Sequence, residues 1–253
     1  MSSDLYRPAD TEVQVQSVLH AVGIVALAFG AGVILSLVGV VGVGILTGNV
    51  GGSSLATSVV GSVLQFAGFI LVVVAYLAVN DDYDLVDWRV PTLSDVVWMA
   101  AAFAGLLVSV WIVGAIATAL GVESAQNQVI VQGQQDPRLF LYMIPITILL
   151  VGPGEELLFR GAVQGLLRRA FGPAPAIAGA SVLFGTAHVV ALIGSDTGIF
   201  TYIAVAAILG VILGSVYEYT DNIVVPIVVH GFWNAMIFAA QYAIAVYDVP
   251  MPQ

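Results

Sequence analysis

The amino-acid sequence predicts an all-α fold, a polytopic bundle of transmembrane helices. Of the 253 residues, 60% are hydrophobic and 9% are charged, whereas a soluble domain carries about 25% charged residues. A transmembrane helix needs roughly 20 apolar residues, and residues 21–80 contain no Asp, Glu, Lys or Arg. The apolar runs are unbroken, unlike the alternating strands of a membrane barrel, so the spans are predicted to be helices.

The apolar runs define seven spans, and an eighth span or a re-entrant segment would also fit the pattern. The predicted spans are residues 18–46, 54–79, 93–121, 138–168, 174–194, 198–218 and 223–247. We divide this single membrane domain into a polar N-terminal tail (1–17), a first part with three spans (18–135) and a second part with the remaining spans (136–250). The longest loop, residues 123–137, is polar and Gln-rich and is interpreted as a plain connector.

The charge balance limits the partners of the protein. The chain has 16 acidic and six basic residues, which gives a net charge of −10, and every basic residue is Arg. Nucleic acid is therefore not an expected partner, because phosphate binding requires positive charge. The chain has no Cys, which excludes disulfides and thiol chemistry. An acidic, lysine-free composition resembles that of proteins from salt-loving archaea.

The arginines predict how the bundle is oriented in the cell membrane. With seven spans, Arg7, Arg89, Arg168 and Arg169 fall on one side and Arg138 falls on the other. Cytoplasmic loops carry an excess of positive charge. The sequence therefore predicts a multi-pass membrane protein with a cytoplasmic N-terminus.

A pair of carboxylates interrupts the fourth predicted span. Glu155 and Glu156 are adjacent, and Arg160 follows Glu156 by one helical turn on the same face. An ion pair between Glu156 and Arg160 would keep one carboxylate charged, while Glu155 faces elsewhere as a candidate general base. Pro153, between two glycines, is expected to kink or interrupt the helix. The alternative is a buried ion pair that only holds helices together.

Two later spans carry further polar groups within apolar surroundings. Phe184 and His188 share one helix face, as do His230 and Asn234. A single His in such a span is often a packing residue. Ionisable groups on three different spans, however, indicate function, because they are costly in lipid. Together these groups supply what is needed to activate water and to stabilise an oxyanion.

Three motifs follow one another in this half of the chain. They are Glu155-Glu156-x-x-x-Arg160, Phe184-x-x-x-His188 and His230-x-x-x-Asn234. The ordered set resembles the motifs of the CPBP intramembrane proteases, which include the CAAX prenyl endopeptidases and bacteriocin-processing relatives. The resemblance covers about residues 139–247 and makes 136–250 the expected catalytic part. It implies cleavage near the C-terminus of a lipidated or membrane-anchored substrate.

The resemblance also implies roles for the motif residues. Glu155 would be the general base that activates water, supported by His188. His230 and Asn234 would stabilise the oxyanion. The other three would complete the site: Glu156 and Arg160 would shape and neutralise it, and Phe184 would pack beside His188.

The chemistry of the activating group stays open between two alternatives. Glu155, His188 and His230 would be the ligands if the site uses a divalent metal such as Zn, and the family is often classed as metalloprotease. The His-Glu-x-x-His zinc motif is absent, and the same groups suit a metal-free, glutamate-activated water, which we prefer. The alternative functions are a non-catalytic membrane protein for binding, immunity or scaffolding and, third, a proton-coupled carrier.

Overall fold

The computed structural model describes residues 9–194 and 197–247, and the described part of the chain contains helices and no strand. Within these ranges, seven helices are long and apolar enough to cross a membrane. These helices are α1 (Thr11–Thr47), α2 (Leu55–Asn80), α3 (Leu93–Leu120), α5 (Arg138–Phe171), α6 (Pro173–Leu192), α7 (Ile199–Thr220) and α8 (Val224–Tyr247). The predicted all-α membrane bundle with seven spans is confirmed. The described residues do not include residues 1–8 of the predicted tail, among them Arg7, or residues 248–250.

Two predicted boundaries of the first half differ from the structure. Helix α1 begins at Thr11, so residues 11–17 of the predicted polar tail are helical. A helix can continue beyond the apolar layer, and Glu12 in its first turn is favourable near a helix N-terminus. The predicted connector 123–137 contains a further helix, α4 (Gln128–Gln135), which Asn127 caps by accepting the Val129 N–H at 2.9 Å.

Helix α5 runs continuously through the carboxylate pair, so Pro153 does not interrupt it. Two π-helical segments, Thr147–Val151 and Leu157–Gln164, flank the short α-helical segment Gly152–Glu156 that contains Pro153. Pro lacks an N–H group and is poorly tolerated in a regular α-helix, and a wider turn absorbs an irregularity without ending the helix. The polar pair therefore lies on a short turn between two irregular segments.

The centre of the bundle is α5, which is the most buried of the seven spans. It contacts α1, α2, α6 and α8, and its residues Leu158, Phe159, Ala162 and Val163 belong to the largest apolar cluster. An ionisable group on this helix is therefore shielded from lipid by neighbouring helices, as charged groups within a membrane require.

One end of the bundle collects three ion pairs between loops and helix ends. Arg89 donates to Asp95 at 2.8 Å, Arg168 pairs with Glu218 at 2.7 Å, and Arg169 pairs with Asp82 at 2.7 Å. The alternation of the spans puts these three arginines at the same end. Arg138 begins α5 at the opposite end. The grouping of these four arginines agrees with the one predicted from the sequence.

Candidate active site

The carboxylate pair of α5 divides into a buried and a partly accessible member. Glu156 is fully buried and forms an ion pair with Arg160, whose Nε lies 3.0 Å from Glu156 Oε2. Arg160 is also fully buried, and its guanidinium carbon lies 4.7 Å from the centroid of the Phe184 ring. The ion pair predicted from the sequence is present. Glu155 keeps 13% of its side-chain surface exposed, so it is the more accessible carboxylate of the pair.

His230 connects α8 to both carboxylates. Its Nδ1 lies 2.7 Å from Glu156 Oε1. A carboxylate oxygen accepts, so Nδ1 donates and carries a proton. Its Nε2 lies 3.7 Å from Glu155 Oε2. His230 is thus held by one glutamate and turned toward the other.

Glycine allows α5 and α8 to approach closely enough for this contact. A Cβ on Gly152 would lie 3.2 Å from the Gly231 Cα. A Cβ on Gly231 would in turn lie 3.2 Å from the Ile148 Cα. Small residues at such contacts are common between membrane helices, because they bring the backbones together.

His188 lies where the α-helical part of α6 changes to a 3-10 segment, His188–Leu192. Its Nδ1 is 2.8 Å from the Phe184 carbonyl oxygen. A carbonyl only accepts, so Nδ1 carries the proton and Nε2 is the nitrogen free for chemistry. The Phe184 ring packs on both histidines, with centroids 4.6 Å from His188 and 5.8 Å from His230.

A cavity of about 210 Å³ borders the motif residues of α6 and α8. His188, His230 and Asn234 line it together with Phe184. The remaining wall is formed largely by apolar residues of α3, α7 and α8: Leu106, Val110, Val205, Ala206, Leu209, Leu213, Trp233 and Ile237. The structure thus brings all three motifs to one place. Glu156 and Arg160 do not line the cavity. Glu156 contacts His230, and Arg160 contacts the Phe184 ring.

A second cavity, of about 440 Å³, lies among the loops at the Arg168 end. Its lining mixes carboxylates and guanidinium groups, such as Asp84, Asp87, Glu218 and Arg169, and contains none of the motif residues. The volume of a cavity therefore does not by itself identify the candidate site. We assign the site to the smaller cavity because the histidines line it.

Glu155, His188 and His230, the ligands predicted for the case that the site uses a metal, do not fit this arrangement. Over the described residues, no three His, Asp or Glu side chains come close enough together to hold a metal ion. Glu155, His188 and His230 therefore do not form the three-ligand site that a catalytic zinc requires. His230 Nδ1 is already engaged by Glu156 at 2.7 Å.

Sequence reasoning missed two polar residues near the cavity. Tyr202 of α7 lines it, and its ring centroid lies 6.0 Å from that of His188. Asn127, which caps α4, donates from Nδ2 to the Tyr202 hydroxyl at 3.4 Å. A Tyr near the start of a span is typical of an interfacial aromatic, so nothing in the sequence distinguished Tyr202 from that class.

The comparisons with known proteins agree with the motifs. Residues 137–236 match the family model of the type II CAAX prenyl endopeptidase Rce1-like proteins. No curated protein and no solved structure matches the chain. The matched segment contains every motif residue, from Glu155 to Asn234, and confirms the resemblance predicted from them. Over residues 137–236, the chain is similar to the type II CAAX prenyl endopeptidase Rce1-like family.

Proposed function

We propose that the protein is an intramembrane endopeptidase that hydrolyses a peptide bond near the C-terminus of a lipidated or membrane-anchored substrate. The observation that carries this proposal is that His188 and His230, from two helices, line one cavity within the spans, while Glu155, from a third helix, lies 3.7 Å from His230 Nε2. The match of residues 137–236 to the family model supports the reaction class. Buried ionisable groups that serve packing alone would not need an accessible carboxylate next to a cavity.

In the proposed mechanism, Glu155 is the general base. Its carboxylate takes a proton from water, and the water oxygen attacks the carbonyl carbon of the scissile peptide. The resulting oxyanion accepts hydrogen bonds from the Asn234 amide and from Nε2–H of protonated His230. Glu155 then returns the proton to the leaving nitrogen as the C–N bond breaks. General acid–base catalysis of this kind contributes about 10²- to 10⁴-fold.

The neighbouring groups orient this machinery. Glu156 accepts from His230 Nδ1 at 2.7 Å, which leaves Nε2 as the ring nitrogen available to the substrate. Arg160 balances the charge of Glu156 in a fully buried pair. His188 keeps Nε2 free because Nδ1 donates to Phe184, and it supports Glu155 and its water from the cavity side.

The cavity wall supports a substrate that enters from the membrane. Most of the lining outside the motifs is apolar and comes from α3, α7 and α8. Such a wall favours a peptide with apolar side chains or an attached lipid. The expected partners are therefore a membrane-anchored peptide or protein and the bilayer itself.

Cleavage by the purified protein tests the proposed function. The substrate is a C-terminal peptide with a lipidated cysteine, presented in detergent at high and at low salt, and mass spectrometry identifies the products. We expect cleavage near the peptide C-terminus that continues after a strong chelator is added. Absence of any product from folded protein would contradict the proposal. Loss of activity with the chelator, restored by zinc, would overturn the metal-free mechanism alone.

We also propose that the N-terminus is cytoplasmic, because the end with Arg89, Arg168 and Arg169 carries most of the positive charge. The absence of native Cys allows single cysteines at exposed loop positions of the two ends, Asp84→Cys and Ser53→Cys. A membrane-impermeant maleimide should label intact cells through Ser53→Cys, and should reach Asp84→Cys only after permeabilisation. The reverse labelling pattern would invert the orientation.

A further inference from the structure

Tyr202 shares the cavity wall with the motif residues. It lies in the first turn of α7, is half-buried, and lines the cavity together with His188, His230 and Asn234. Its ring is inclined by 36° to that of His188, with centroids 6.0 Å apart. A residue with a polar hydroxyl thus lies beside His188 in an otherwise largely apolar wall.

Asn127 determines the hydrogen-bonding role of the Tyr202 hydroxyl. Asn127 Oδ1 accepts the Val129 N–H at 2.9 Å as the cap of α4, which assigns the oxygen and nitrogen of this amide. The amide nitrogen therefore faces Tyr202, and it donates to the hydroxyl oxygen at 3.4 Å. Because an amide N–H only donates, the hydroxyl acts as acceptor here, and its own proton is directed elsewhere.

We expect the hydroxyl proton of Tyr202 to be directed at the cavity, because this side chain lines the cavity. Within residues 9–194 and 197–247, Asn127 is the one hydrogen-bond partner of this hydroxyl. A half-buried hydroxyl beside a cavity is expected to donate to a group that occupies the cavity, because an unmade hydrogen bond is costly. A peptide carbonyl oxygen is the acceptor that a peptide substrate brings into this space.

We propose that Tyr202 is a further catalytic residue of the peptidase reaction: its hydroxyl, oriented by Asn127, donates a hydrogen bond to the carbonyl oxygen of the scissile peptide. This inference rests on the proposed function. Tyr202 and Asn234 then donate to the same oxygen as it becomes negative. Asn127 is a positioning residue, which couples the α4 segment to the site.

Substitution Tyr202→Phe removes the hydroxyl and keeps the ring. We expect kcat to fall about 100-fold, as for the loss of one oxyanion donor, with KM changed much less. Tyr219→Phe on the same helix is the matched control, because Tyr219 is 71% exposed and lies away from the cavity lining. Thermal unfolding in detergent verifies that both variants keep the wild-type fold.

Asn127→Asp separates orientation from packing. Aspartate still caps α4, but its carboxylate accepts the hydroxyl proton of Tyr202 and turns it away from the substrate. We expect a fall in kcat similar to that of Tyr202→Phe, and no additional fall when the two substitutions are combined.

Each outcome of these measurements decides the inference. A folded Tyr202→Phe variant with wild-type kcat, measured while wild type cleaves, would overturn the role of Tyr202 and leave the proposed function intact. Loss of kcat in Tyr202→Phe without loss in Asn127→Asp would overturn the orienting role of Asn127. Absence of cleavage by wild type would remove the proposed function and this inference with it.

Discussion

Replacement of Glu155 by Gln is expected to reduce peptide cleavage by about 10²- to 10⁴-fold. Glutamine has nearly the shape of glutamate, but it cannot take a proton from water. Glu155 is the partly exposed carboxylate of the pair, and it lies 3.7 Å from His230 Nε2. The initial rate at saturating substrate measures the effect, because the loss is in the chemical step and should appear in kcat.

Glu12→Gln is the control for this substitution, since Glu12 is exposed in the first turn of α1 and should leave the rate unchanged. The same experiment separates an enzyme from a binding or scaffold protein. A scaffold would tolerate Glu155→Gln, which preserves the size and the polarity of the side chain. Unchanged product formation in the Glu155→Gln variant would therefore remove Glu155 from the mechanism.

Arg160→Met is expected to destabilise the fold by about 3–5 kcal/mol, which is the cost of breaking a buried ion pair. Arg160 and Glu156 are both fully buried, so the glutamate would keep its charge without its cationic partner. The Phe184 ring would also lose its cation–π contact. Chemical unfolding in detergent measures the difference. Arg138→Met, at an exposed pair with Asp136, is the control and should change stability little.

Combining Glu156→Gln with Arg160→Met should recover much of the lost stability, because no unpaired charge then remains. Activity should not recover. The His230 Nδ1–H would lose its charged acceptor at 2.7 Å, and with it the orientation of Nε2. A double variant with both wild-type stability and wild-type kcat would contradict this role. The ion pair of Glu156 and Arg160 would then only hold helices together, which is the alternative that the sequence left open.

The sequence predicted the features that depend on local pattern. Seven apolar runs predicted seven spans, and the i,i+4 spacing of Glu156 and Arg160 predicted their ion pair. The cost of ionisable groups in lipid also made it reasonable to expect the three motifs at one site. The contacts of Glu156 with His230, and of Phe184 with Arg160 and His188, are the structural counterpart of that expectation.

Other features depend on tertiary contacts that a pattern does not contain. Helix α4 forms where Asn127 caps it and where Gly133 lies against the Phe140 ring, although the segment is polar and Gln-rich. The sequence predicted a kink or an interruption at Pro153, whereas α5 continues through this residue with π-helical segments on both sides of it. Tyr202 gains its place only because α7 and α6 bring it beside His188.

Cleavage of the lipidated peptide in H₂¹⁸O, by wild type and by Glu155→Gln, tests the central claim most directly. If the site activates water, the wild-type product carries one ¹⁸O atom in the newly formed carboxylate, and the variant forms that product at least about 10²-fold more slowly. A product without ¹⁸O, equal product from both proteins, or no product from folded wild type would contradict the account.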